Sequence, residues 1–152
     1  MTQDDALAHA AIRDTLARYN MAGDRLRVED FCATFTEDGV LETGTYTLTG
    51  RAGIRAWMSG FRPAGSLSAK PARVPRFVRH HLATCQIDLT GPDTAPDSAQ
   101  VRTYWMVLTD IGPDHAGLYV DRFRREDGRW LIAHRKARTE WFAPESYFAP
   151  VS

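Results

Sequence analysis

Three windows in the first third of the chain carry a helical period. Ile12, Leu16 and Tyr19 recur at i, i+4 and i+7, which lays one apolar stripe along a helix. Thr2 with Asp5 three residues later has the form of a capping box, Asp4 and Asp5 place negative charge at the helix start, and Gly23 is the expected stop. A second, short helix is predicted from Val28 to Phe35, with Phe31 and Phe35 one turn apart and Glu37-Asp38-Gly39 breaking the pattern. A third is predicted from Gly50 to Gly60, because Ile54, Trp57 and Met58 share a face.

The remaining patterning favours strands. Residues Val40 to Leu48 are rich in Thr and other β-formers, with Gly44 as a turn. Positions 61–75 hold Pro and small polar residues without a period and are expected to form a long loop. Long strands are then predicted over Phe77–Leu89, Val101–Leu108, Leu118–Arg124 and Trp130–Arg138. They are separated by the turn-rich stretch 91–97, by Gly112-Pro113-Asp114, and by the hairpin signal Glu126-Asp127-Gly128. An aromatic tail follows, with Trp141-Phe142-Ala143-Pro144 and Tyr147-Phe148-Ala149-Pro150. Helices first and strands afterwards predict an α+β fold, helices packed on one face of an antiparallel sheet. If that sheet curls around the helices, its concave side encloses a cavity, the natural place for a site.

Composition narrows the function. The 152 residues correspond to a single domain spanning 1–152, large enough to enclose a real core. Lys+Arg and Asp+Glu both number 19, so the basic excess of a nucleic-acid binder is missing and no polybasic membrane surface is present. No apolar run approaches the ~18 residues of a spanning helix, and the acidic start is the reverse of a signal peptide. A cytoplasmic protein is expected. Cys32 and Cys85 stand far apart with no CxxC, so two free buried thiols are expected in place of a disulfide or metal site.

Among the five histidines, Arg79-His80-His81 is the notable cluster. Adjacent strand residues point to opposite faces, so only one of His80 and His81 can line a pocket. That geometry argues against zinc, which needs three or four converging ligands; no metal and no cofactor are expected. A single imidazole facing the interior suits a general base, provided a carboxylate fixes its tautomer. Asp24, past the end of the first helix, is a reasonable partner. Tyr19 belongs to the apolar stripe. Strict alternation puts Arg135 on a strand face with Leu131, Ala133 and Ala137, where a cation must pair or meet an anion. It puts His134 on the other face with Trp130 and Ile132, and His115 falls in a turn. Cys85 shares a face with His81 by the same count, too far along the strand for a thiol–imidazole contact. Neither a phosphate-cradling Gly loop nor a GxSxG elbow occurs.

Four stretches taken together resemble the SnoaL-like branch of the nuclear-transport-factor-2-like superfamily. They are Arg18-Tyr19-Asn20-Met21-Ala22-Gly23-Asp24, Gly50 to Trp57, Arg79-His80-His81, and Gly117 to Arg135 with its Asp127-Gly128-Arg129-Trp130 hairpin. The resemblance implies a cone-shaped α+β barrel, a curved antiparallel sheet wrapped around three helices over an apolar pocket. The pattern is most similar to the scytalone dehydratase, bile-acid dehydratase and hexachlorocyclohexane dehydrochlorinase members, which use a His–Asp dyad without metal or organic cofactor. Carried across, that dyad falls on His81 and Asp24, the helix tyrosine on Tyr19 and the last-strand arginine on Arg135. Cys85 departs from the asparagine of the family's His-x-x-Thr-Asn pattern. The resemblance further implies a pocket lined by Trp57, Phe35, Met106, Tyr119, Trp141 and Phe142, with the aromatic tail closing over it. A cofactor-independent lyase acting on a small hydrophobic organic substrate is the expected function. An isomerase or cyclase, a non-catalytic ligand-binding module and a dioxygenase small subunit are the alternatives. Partners are expected to be copies of the chain itself, as a homodimer or homotrimer.

Overall fold

The computed structural model describes residues 1–60, 73–91 and 96–150. The loop expected over 61–75 therefore lies mostly outside the described residues, as does part of the 91–97 turn. Helix α1 (Gln3–Asp24) starts as its sequence demands. The Thr2 hydroxyl accepts from the Asp5 amide at 3.1 Å, and the Asp5 carboxylate accepts from the Thr2 amide at 2.7 Å. The helix runs one residue past Gly23, whose missing side chain instead admits the Phe31 ring; a Cβ there would lie 3.3 Å from it. Leu26, at φ 53°, turns the chain into α2 (Val28–Cys32), which is shorter than its sequence suggests because Phe35 already begins a strand.

Strands β1 (Phe35–Glu42) and β2 (Thr47–Thr49) form a hairpin that leads into α3 (Gly50–Met58). Four long strands follow, β3 (Arg79–Thr90), β4 (Ser98–Thr109), β5 (Gly112–Glu126) and β6 (Arg129–Phe142). Their spatial order is β2-β1-β6-β5-β4-β3, with β2 and β3 as free edges, so the sheet is open. It is also mixed and not purely antiparallel, because β1 runs parallel to β6. The turn between β5 and β6 places Asp127 and Gly128 at positive φ, the geometry that an Asp-Gly hairpin requires.

Helix α1 lays Ala8, Ile12, Leu16 and Tyr19 onto the concave face, where Phe35, Val101, Phe123 and Ile132 meet them. Full burial of each of the Ile, Leu, Val and Phe side chains among them stabilises the fold by about 1.5–3 kcal/mol. The register slips at Leu82/Cys85, at Val107/Leu108, and at two points along the β5–β6 pairing. Each slip is a bulge that bends its strand, and together they curl the sheet into a cone. Cys32 is buried, Cys85 half-buried, and both are free.

Candidate functional site

Inside the cone lies a cavity of about 490 Å³, walled mainly by aromatic and aliphatic side chains. Tyr19 and Asp24 reach it from α1, Phe31 from α2, Trp57 and Met58 from α3 and Trp105 from β4. Strand β5 supplies His115 and Tyr119, β6 supplies Ala137 and Thr139, and the tail supplies Phe148. Among the described residues no Lys, Arg or Glu lines it, and Asp24 is the one carboxylate. A cavity of this size and lining is typical of small-molecule sites.

That carboxylate is fully engaged. Asp24 Oδ1 lies 2.6 Å from His80 Nδ1, and Oδ2 accepts the His80 backbone amide at 2.9 Å. The Asp24 side chain is 6% exposed and the imidazole 26%, so the carboxylate is sealed while the ring meets the cavity. With its Nδ1 bound to the carboxylate, a neutral His80 carries its proton there and leaves Nε2 as a proton acceptor.

A second histidine faces the same space. His115 lies in β5, whose pairing with β4 extends four residues before Ala116 to Gly112, so it is not in a solvated turn. Its Nδ1 is 2.8 Å from Asp114 Oδ1, and Asp114 is fully buried. Burial pushes the His115 pKa below the ordinary 6.5 and the His80 charge adds to this; the Asp114 carboxylate opposes both. Trp105 stands by both rings, 6.2 Å from His80 and 5.5 Å from His115 between centroids, and stacks on Tyr119. Among the described residues no three His, Cys, Asp or Glu side chains converge as a metal set.

The SnoaL-like domain matches residues 4–136 of the sequence. The chain belongs to that SnoaL-like family. No curated protein matches it in sequence. Among solved structures it is similar to a candidate scytalone dehydratase from Novosphingobium aromaticivorans, at 21% identity and TM-score 0.74 over 94% of this chain and 91% of that one. A hexachlorocyclohexane dehydrochlorinase, LinA type 2, is similar at 17% identity and TM-score 0.72 over 97% and 96% of the two chains. The beta subunit of a candidate aromatic-ring-hydroxylating dioxygenase from N. aromaticivorans is similar at 20% identity and TM-score 0.70, over 91% and 93%. At these identities the likeness establishes the cone fold alone. No described helix of this SnoaL-like protein is long and apolar enough to cross a membrane.

Within the SnoaL-like frame, Asp24, Tyr19, Trp57 and Tyr119 stand in the cavity wall, and His81 does not. It is exposed on the convex face opposite Met106, while His80 pairs with Val107 and Leu82 with Trp105 on the concave side. The reason is the bulge after Leu82, where Ala83 and Thr84 together oppose the single Tyr104. Counting back from Cys85 and Ile87 by strict alternation puts His81 inside; the extra residue inverts the phase and puts His80 there. The same bulge separates Cys85 from His81's face and seats it against the Thr103 hydroxyl, at 3.3 Å.

Arg135 likewise leaves the proposed set. It is fully buried, and its Nε and Nη2 donate to Asp121 at 2.9 and 2.6 Å. Its guanidinium lies 4.1 Å from the Tyr19 ring centroid and 3.9 Å from that of Tyr119, so those two rings screen it from the cavity. Its face is set by a bulge at Ala133, which puts Arg135 inward with Trp130 and Ile132, not with Leu131 and Ala133. His134 turns outward and pairs with Glu42 at 3.2 Å. Burial works against the Arg135 charge, and the Asp121 carboxylate more than offsets it, so the group stays cationic.

Of the remaining wall residues, Phe35 lies in the core beneath Tyr19 and Phe31. Met106 points to the convex side, because the buried alternation is Val101, Thr103, Trp105, Val107. Trp141 is exposed opposite Ala116, and Phe142 stacks behind His115 without lining the cavity. The tail does contribute to the wall, through Phe148.

Proposed function

We propose that the chain is a cofactor-independent lyase of dehydratase or dehydrohalogenase type, with His80 as general base and Asp24 as its orienting carboxylate. The observation that supports it is the 2.6 Å Asp24–His80 contact on the wall of a largely aromatic and aliphatic cavity. His80 Nε2 removes a proton from a substrate carbon, the C–H electron pair forms the alkene, and the leaving group departs with its own pair. A departing hydroxyl takes the proton back from the imidazolium and leaves as water; a departing halide leaves the proton to be lost to solvent. The Tyr19 hydroxyl is assigned as a neutral donor to a leaving oxygen or halide, since Arg135 is paired with Asp121. His115 accepts a hydrogen bond from a substrate hydroxyl and holds the molecule against Trp105.

The lining also selects. With no Lys or Arg among the described wall residues, an anionic substrate would find no compensating charge there, and the lining favours a neutral, mostly apolar alcohol, ketone or halide. A non-catalytic binding module needs no imidazole oriented by a buried carboxylate, and that pair favours the lyase. The self-association expected from the sequence remains our reading; Tyr104, Met106 and Trp141 on the convex face are its natural contacts. The test is a panel of small neutral alcohols, ketones and halides scored for loss of water or halide. On a confirmed substrate, His80→Ala is expected to lower kcat about 10²–10⁴-fold, the usual worth of a general base, with Asp24→Asn close behind. His81→Ala serves as the control and should keep the wild-type rate. Equal rates for His80→Ala and wild type would refute the assignment.

A further inference from the structure

The fully buried Asp114 carboxylate is the meeting point of three segments. Its Oδ1 receives His115 Nδ1 at 2.8 Å and the Ser146 hydroxyl, and its Oδ2 receives the Tyr147 amide at 3.0 Å. The Thr109 hydroxyl, at the end of β4, lies 3.4 Å from the same Oδ2, and the Asp114 carbonyl accepts the Ala143 amide at 2.8 Å. Beyond this clasp the tail places Phe148 in the cavity wall, its ring 4.9 Å from that of His115. Nothing in the β4–β5 turn alone requires a buried carboxylate. A carboxylate has room for about four donors, and here they come from the imidazole, from Thr109 at the end of β4 and, for two of them, from the tail.

We propose that Asp114 is a positioning residue that makes the seating of the C-terminal tail and the presentation of the His115 imidazole to the cavity one event. With the tail seated, Ser146 and the Tyr147 amide fix the plane of the carboxylate, which fixes the His115 ring with its proton on Nδ1 and Nε2 free. With the tail lifted, the carboxylate loses two donors, gains water and rotates, and the ring loses its orientation together with the Phe148 wall. The donors from Ser146, Tyr147 and His115 outweigh the burial penalty and keep the Asp114 carboxyl below its ordinary range, consistent with a clasp built around the anion. This reading rests on the cavity being the working site, yet the clasp is measured without turnover.

The test uses the full chain in two arms. In the first, Asp114→Asn is followed by amide hydrogen exchange; losing charge-assisted bonds should speed exchange at Tyr147 by about tenfold or more. In the second, Ser146→Ala with Tyr147→Pro removes both tail donors and leaves Asp114 and His115 untouched. Long-range proton–nitrogen correlation spectra of the imidazole then report the tautomer. Wild type should show one tautomer, protonated on Nδ1, and the double variant should show averaged nitrogen shifts. Ser146→Thr, which keeps the hydroxyl, should behave as wild type. An unchanged Tyr147 exchange rate in a folded Asp114→Asn, or a single tautomer kept in the double variant, overturns the coupling. Should Asp114→Asn fail to fold, the second arm decides alone. Intact coupling in a protein with no lyase activity would sink the lyase and leave the clasp; an active enzyme without coupling would do the reverse.

Discussion

Asp121 and Asp24 each hold a basic partner on the concave side of the sheet, and only the second pair opens to the cavity. Asp121 meets Arg135 through two parallel bonds, both side chains fully buried, with tyrosine rings on the guanidinium. Asp24 meets one nitrogen of an imidazole whose other edge is open to the cavity. The first pair has nothing left to offer a substrate, since its charges satisfy each other and the one remaining nitrogen, Nη1, is sealed from solvent. The second keeps a lone pair in reserve. Charge inside a cone is therefore not by itself a sign of chemistry; what matters is which valences remain after the internal partners are served.

The strongest way to break the comparison is to remove one partner of the sealed pair. Arg135→Ala strands the Asp121 carboxylate in the core and should cost about 3–5 kcal/mol of unfolding free energy. The double change Arg135→Met with Asp121→Leu should recover most of that. Chemical denaturation measures both. His80→Ala, by contrast, removes a partly exposed ring and should cost far less stability. A loss below about 1 kcal/mol for Arg135→Ala would show that the pair does not behave as a sealed one.

The same contrast explains which parts were legible in the sequence. Helix α1, its capping box and the Asp127-Gly128 hairpin follow from local chemistry, and each stands where its residues put it. The order of helices and strands predicts the α+β class, and the family resemblance implies the cone. What strict alternation misses is a change of phase within a strand. Val78, His80 and Leu82 alternate on even positions and Cys85, Ile87 and Leu89 on odd ones, so a slip between Leu82 and Cys85 was written in the chain. The family resemblance points to His81, and strict alternation counted from Cys85 agrees with it, whereas the half with Val78 and Leu82 points to His80. Likewise the apolar run Val101, Trp105, Val107 marks the inward positions and excludes Met106. Trp130 and Ile132 against Arg135 show another slip, at Ala133. The parallel β1–β6 pairing and the Asp114 clasp left no local trace, because both join segments far apart in the chain.

Gly117 tests how far the two pairs share a wall. A Cβ there would stand 1.9 Å from the Arg138 carbonyl oxygen and 2.7 Å from the Trp105 ring. Trp105 stacks on Tyr119, which covers Arg135, and its other flank faces His80. Gly117→Ala must therefore push both the β6 backbone and the indole away, a strain of at least about 1–3 kcal/mol by overpacking. Tryptophan emission should shift with it, and an unfolding midpoint equal to wild type would show that the wall yields freely.

The smallest effect is a pH dependence on the cavity side. His115 has its pKa lowered in the folded state, chiefly by burial, against an unfolded value near 6.5. The unfolded chain then binds more protons than the native one as pH drops through 6.5, so acid favours unfolding. Stability from this group is fully present above 6.5 and is lost below it, until the native ring also protonates. One proton limits the slope to about 1.4 kcal/mol per pH unit. His115→Gln keeps a donor for Asp114 and removes the titration. Wild type should therefore lose more denaturant resistance than His115→Gln between pH 7.5 and 5 (about the range in which a histidine titrates), and the two curves should converge at the alkaline end. Parallel curves would mean that the His115 ring is no harder to protonate when folded than when free, and that the aromatic wall around it is wetter than its packing implies.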